Sequence, residues 1–351
     1  MTSAARSALN IAPPVSAFLA RHGLANARLE PLAGDASARR YFRLPERGLL
    51  LMEDREDLAG FSAYVRLSRH LLSLGLSAPR VHGADPSTGL GLVEDFGSDT
   101  YAKCLAEGVS EEVLYMLAVD ALSHLHHDPQ GARVACGRFD RETCLAELDI
   151  FSEWFAPEVC PSLDRGGFVA AFRALWSDAL DVLTDAPETL VLRDFHVDNL
   201  MYLPGRTGVA RCGLLDFQDG ILGPCEYDLV SLLQDARRDL APGLEDVLLG
   251  RYIEGAPARL GGEAAIRRRY HLLGAQRHAR IAGVFVRLAR RDGKSAYLAF
   301  LPRVLRQLEA ALTKAGLTDI KYFLTASLPG WAARGAALGQ PADERKGMIH
   351  V

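Results

Sequence analysis

The sequence predicts an α+β protein: a small antiparallel β part carrying one helix, followed by a larger, mostly helical part. Three observations predict it. Short apolar runs separated by turn residues fill the chain up to Phe96. Amphipathic runs of helical length dominate from Glu111 onward. One stretch of β-like character, Thr189 to Phe217, interrupts the helices.

Val15 to His22 has the spacing of a short amphipathic helix, and Ala27 to Ala33 reads as a first strand. Gly34-Asp35-Ala36-Ser37 is a turn of small residues. Arg39 to Leu44 then alternates, with Phe42 and Leu44 on one face and Tyr41 and Arg43 on the other. After the turn Pro45 to Gly48, Leu49-Leu50-Leu51-Met52 is a buried strand, so three strands form an antiparallel meander. Phe61 to Leu74 carries apolar residues at helical spacing and stops at Gly75. Leu90 to Phe96 is a further strand. Helices are predicted over Glu111–His126, Leu145–Phe155, Gly167–Leu183, Leu244–Glu254, Ala264–Arg291 and Leu298–Ala315, and Ala332 to Val351 reads as a loosely docked tail.

A chain of 351 residues, 49% hydrophobic and 24% charged, has an ordinary globular composition. Its length suggests two domains, drawn here at 1–95 and 96–351. A net charge of −4 argues against a dedicated nucleic-acid binder, which needs a basic surface. The six cysteines form no C-x-x-C pair and read as reduced thiols. Met1 to Pro14 lacks the apolar core of a signal peptide, and no run approaches the ~20 apolar residues of a membrane span. The expectation is a cytoplasmic protein with a small-molecule substrate, no membrane or nucleic-acid partner, and no obligate protein partner.

The interrupting stretch concentrates the chemistry. It reads Arg193-Asp194-Phe195-His196-Val197-Asp198-Asn199, then a turn at Pro204 to Gly208, then Gly213-Leu214-Leu215-Asp216-Phe217. Its polar parts are an Asp, an Asn five residues later, a hairpin, and an Asp ending an apolar strand. Phosphoryl transfer needs a carboxylate to take the proton of the attacking hydroxyl, and oxygen ligands to hold Mg²⁺ on the phosphates. A hairpin joining Asn199 to Asp216 sets two such ligands side by side.

On these residues the sequence resembles the protein-kinase-like phosphotransferases of the aminoglycoside phosphotransferase/choline kinase branch. Arg193-Asp194 to Asn199 is similar to that family's catalytic loop, Asp216-Phe217 to its metal-binding motif, and Gly223 to Asp228 to its downstream anchoring segment. Gly34 to Ser37 leading into Arg39-Arg40-Tyr41-Phe42-Arg43, Leu215 to Asp219, and Gln276-Arg277-His278 look like the anomeric sugar kinases that phosphorylate N-acetylmuramate and N-acetylglucosamine in cell-wall recycling. The resemblance implies a bilobal protein-kinase-like fold using ATP and Mg²⁺. Asp194 would be the catalytic base and His196 would steady its loop, with Asn199 and Asp216 as the metal ligands. Gly34, Asp35, Ala36 and Ser37 would cover the ATP phosphates with backbone N–H groups. Glu94, Asp95 and Phe96 would form the adenine hinge, and Asp228 would brace the catalytic loop.

Two positions depart from the family. Met52 stands where an ATP-binding Lys belongs, and Leu192 where many relatives carry His. Arg39, Arg40 or Arg43 on the neighbouring strand would supply the missing charge; Arg40 is the expected nucleotide contact, although the sequence does not choose among them. For the acceptor, the helix Ala264–Arg291 has an apolar stripe through Ile266, Tyr270, Leu273, Ile281, Val284 and Leu288, with Arg277 in its middle. Arg277 and the adjacent Gln276 are expected to face the substrate, where a guanidinium suits a carboxylated sugar. The alternatives are the same transfer to an aminoglycoside, choline, homoserine or a methylthio-sugar, and a nucleotide-binding pseudokinase.

Overall fold

The computed structural model describes residues 13–32 and 39–340. The chain divides into two units. The first comprises the residues up to Ala121 together with Val197–Gly220; the second comprises Leu122–His196 together with the residues from Ile221 onward. A single cut at residue 95 does not represent this division, because the hairpin after His196 returns to the first unit.

In the first unit, helix α1 (Pro13–Arg21) precedes strands β1 (Glu30–Pro31), β2 (Arg40–Leu44) and β3 (Leu49–Glu53), helix α2 (Leu58–Ser73), and strands β4 (Val81–Asp85) and β5 (Leu90–Glu94). The sheet runs β1-β2-β3-β5-β4 and is antiparallel throughout. Its register opposes Tyr41 to Met52 and Arg43 to Leu50, while Leu50 opposes Val93. Arg39, Tyr41 and Arg43 therefore share one face, and Phe42, Leu44 and Leu51 the other. That second face packs with Val15, Phe18 and Leu19 of α1 into a core that includes Leu90 and Leu92. Each such side chain contributes about 1.5–3 kcal/mol by leaving water. Asp57 caps α2 by accepting the Gly60 N–H at 2.8 Å, and Gly75, at φ 80°, ends it. Strand β4 was not expected from the sequence. It is an edge strand with a register shift between Val81 and Gly83, so its residues show no alternation.

The second unit is mostly helical around a three-stranded sheet, in which Ile221–Pro224 lies between Gly137–Arg138 and Glu188–Val191. The helix Glu263–Arg291 is buried nearly all round between Leu272 and Gly283. At Gly283 a Cβ would lie 2.4 Å from the Ile150 carbonyl oxygen. Only glycine permits this approach, and the chain takes a π-helical turn over Phe151–Phe155 directly after it. Glu226–Leu233 forms a helix buried on every side, which leaves no periodicity to read. The expected tail is instead ordered structure as far as it is described. Helices Thr318–Ser327 and Trp331–Ala336 follow Leu301–Lys314, and buried Trp331 meets Phe155 edge-on at 6.4 Å. No described helix is long and apolar enough to cross a membrane.

Candidate active site

In the first unit, Leu200–Tyr202 pairs antiparallel with Cys212–Leu214, the hairpin expected from the sequence. The Leu215 N–H donates to the Asn199 carbonyl at 2.9 Å, so the pairing continues to the residue beside Asp216. Asn199 and Asp216 both line a cavity of about 440 Å³, together with Tyr41, Leu50 and the Glu94–Gly97 segment. Asp216 has φ 54°, a left-handed conformation costly for a non-glycine residue and a mark of functional sites. Its Oδ1 accepts from the Gln218 amide at 3.0 Å.

An amide oxygen and a carboxylate on one hairpin suit a hard cation. Among the described residues there is no cluster of three or more His, Cys, Asp or Glu able to cage a metal alone. The pair fits Mg²⁺, which takes one or two protein ligands and completes its shell with water and substrate phosphates.

Around the expected hinge, Asp95 receives both Nε (2.6 Å) and Nη2 (3.0 Å) of Arg43, and Arg206 hydrogen-bonds Glu94 while lying 4.8 Å from the Phe96 ring centroid. Gly34, Asp35, Ala36 and Ser37 lie outside the described residues. Arg40 does not line the cavity. Strand alternation turns it to the α1 face, where it meets Glu53 at 2.5 Å. Arg39 lines the cavity instead.

In the second unit, Arg193 has φ 71°, the other non-glycine residue at positive φ among those described. Asp228 holds this turn by accepting the N–H groups of Leu192 (2.6 Å) and Arg193 (2.9 Å). Burial pushes the Asp228 carboxyl up to about 7, against the two donors, which favour the anion. The Arg193 guanidinium hydrogen-bonds Glu147, and Ser231 donates to the Arg193 carbonyl at 3.2 Å. Asp194 extends from this braced turn as an exposed side chain. His196 is buried, and burial and Arg237 push its imidazole below the usual range, against Asp235 and Asp194.

Gln276 and Arg277 both lie buried in the second unit. Gln276 is wholly buried, and its amide donates to Glu147 at 3.1 Å. Arg277 is 5% exposed and donates to Ser231 at 2.8 Å. Both therefore reach the Arg193 turn through one intermediary, Glu147 for Gln276 and Ser231 for Arg277. Glu147 and Ser231 escaped the sequence reading. Glu147 sits among the core positions Leu145 and Leu148, and a carboxylate there was the available signal.

Fold and site together define a phosphotransferase. Residues 28–262 match the family model described as the phosphotransferase enzyme family, and the chain belongs to that family. A protein of Caulobacter vibrioides named N-acetylmuramate/N-acetylglucosamine kinase is 34% identical over 90% of this chain and 96% of its own length. A protein of the same name from Neisseria meningitidis is 33% identical over 85% of this chain and 90% of its own. Among solved structures, a choline/ethanolamine kinase family protein from Mesorhizobium loti has TM-score 0.56 at 16% identity, covering 94% of this chain and 96% of that one. The ADP-bound aminoglycoside phosphotransferase APH(2'')-Ib has TM-score 0.58 at 15% identity, covering 88% and 99%. These two share its protein-kinase-like α+β fold.

Proposed function

We propose that this enzyme transfers the γ-phosphoryl group of ATP to the anomeric hydroxyl of N-acetylmuramate or N-acetylglucosamine, giving the sugar 1-phosphate and ADP, for reuse of cell-wall sugars in the cytoplasm. The observation that carries the chemistry is the pairing of Asn199 with Asp216 at the end of one hairpin, lining one cavity. The acceptor rests on the names of the relatives.

In this reading Asp194 takes the proton of the sugar hydroxyl as its oxygen bonds the γ-phosphorus and the bond to ADP breaks. The turn that bears Asp194 is held by Asp228, Ser231 and Glu147, so the carboxylate is positioned before substrate arrives. Asn199 and Asp216 would hold Mg²⁺, which would supply positive charge against the phosphate oxygens. At the hinge, the N–H groups of Glu94, Asp95 and Gly97 are engaged by Arg80 O, Gly48 O and the Asp95 carboxylate. The adenine edge is therefore assigned to the backbone of Phe96.

The test is a turnover screen with ATP and Mg²⁺ over both sugars, choline, homoserine and an aminoglycoside, with product position read by phosphorus NMR. Transfer to the C1 oxygen of both sugars is expected, and Asp194→Asn should lower kcat by ~10²–10⁴-fold. Turnover confined to a cationic acceptor, or none at all, would overturn the assignment.

A further inference from the structure

We propose that Arg39 is the phosphate-binding cation of the nucleotide site, replacing from the start of β2 the charge that Met52 cannot provide on β3. The proposal rests on the reading of the cavity as a nucleotide site and names the residue that reading leaves open. Met52 lies on the cavity face of the sheet but is wholly buried and carries no charge.

Each of the three candidate arginines has its own carboxylate: Arg40 meets Glu53, Arg43 meets Asp95, and Arg39 meets Asp54. Only Arg39 also faces the expected metal ligand, with Nη1 3.7 Å from Asp216 Oδ1. Among the described residues lining the cavity, Arg39 is the one cation, against Glu94, Asp95, Asp198 and Asp216. A polyphosphate entering such a cavity needs a positive group beside the metal, and this is the group present.

The guanidinium is built in rather than loosely placed. Its side chain is 9% exposed, and Nε donates to Asp54 Oδ2 at 2.8 Å. Asp54 engages Nε, Tyr41 also hydrogen-bonds the side chain, and Nη1 is turned toward Asp216. The guanidinium lies 5.9 Å from the Tyr64 ring centroid, and Tyr64 stacks on Phe217 at 4.9 Å. Arg39 is thereby referenced to the same Asp216-Phe217 pair that carries the metal ligand. A planar fork fixed along one edge suits two oxygens of a phosphate on the other. Asp54 acts through Arg39 and is a positioning residue.

The experiment is calorimetric titration of the full chain with MgADP and with adenosine, which lacks the phosphates. Arg39→Met should weaken MgADP roughly ten- to a hundredfold, the cost of a charge-assisted contact, and leave adenosine affinity unchanged. Arg39→Lys should recover part of the loss. Asp54→Asn should reproduce a smaller MgADP-selective loss. If Arg39→Met melts early, Arg39→Gln, which retains a donor to Asp54, carries the same comparison. MgADP affinity within threefold of wild type in a folded Arg39 variant, or an equal loss on adenosine, overturns the assignment to Arg39 alone. Failure of the wild-type chain to bind MgADP would instead remove the nucleotide reading, and this proposal with it.

Discussion

The carboxylate of Asp228 accepts the backbone N–H of Arg193 at 2.9 Å, and so holds a non-glycine residue at φ 71° one position before Asp194. The second oxygen takes the Leu192 N–H at 2.6 Å. Asp228→Asn keeps the shape but sets an NH₂ group against one of those donors. Leaving a buried donor unmade costs ~1–3 kcal/mol. The variant should melt several degrees lower and lose kcat, with the KM for ATP little changed. Thermal melting beside steady-state kinetics checks it; wild-type values in both would remove Asp228 from the support of the loop.

The proposed metal site makes a separate prediction. Asn199 and Asp216 each offer one oxygen from a single hairpin. Asp216→Ala and Asn199→Ala should raise the Mg²⁺ concentration giving half-maximal activity, because each variant removes one ligand from a shell the protein fills only in part. Magnesium titrations at fixed ATP are the measurement. Curves that overlay wild type for both variants would place the metal elsewhere.

The hairpin that sets Asn199 beside Asp216 was legible in the sequence because it is local: strand, turn and strand lie within Asn199 to Asp216. Helix α2 was legible because its burial is one-sided, on Phe61, Tyr64, Leu67 and Leu71. The Glu226–Leu233 helix was not, since all its residues are buried, Glu226 and Asp228 among them, and none marks a solvent face. Arg39 could be narrowed only to three arginines. Alternation put it on a face with Tyr41 and Arg43, but which face meets a cavity depends on the packing of α1 against the other one. The partner of Glu147 could not be read for a related reason: the Arg193 it holds lies 46 residues away.

Acid should destabilise the protein through His278. This imidazole is fully buried, with Nε2 2.9 Å from Gln234 Oε1 and Nδ1 without a hydrogen-bond partner among the described residues. Burial, and then Arg277, push its pKa down to about 3. The unfolded chain titrates near 6.5. Between these values the unfolded state binds the proton and the native state does not, so stability rises with pH up to about 6.5 and is lost below it. At pH 5 the loss is on the order of 2 kcal/mol. His126, also pushed to about 3, acts in the same direction. His278→Gln keeps a donor for Gln234 and cannot titrate. Urea denaturation at pH 7.5 and 5 should show a smaller difference for the variant, and an equal difference would exclude His278 as a source.

Arg277 gives a test that separates loop support from acceptor recognition. Its Nη2 donates to Ser231, which donates in turn to the Arg193 carbonyl, while Nε and Nη1 are buried and have no hydrogen-bond partner among the described residues. A guanidinium so placed holds the turn before Asp194 and reaches an acceptor only through it. Arg277→Met retains much of the stem's packing and removes the charge. N-acetylmuramate carries a carboxylate that N-acetylglucosamine lacks, so the two sugars separate loop support from direct recognition. The expected result is a fall in kcat of about tenfold on both, corresponding to ~1.4 kcal/mol, with the ratio of their kcat/KM values unchanged and a lowered melting temperature. A loss confined to N-acetylmuramate, with normal melting, would instead make Arg277 the carboxylate contact and require the helix around it to open when the sugar binds.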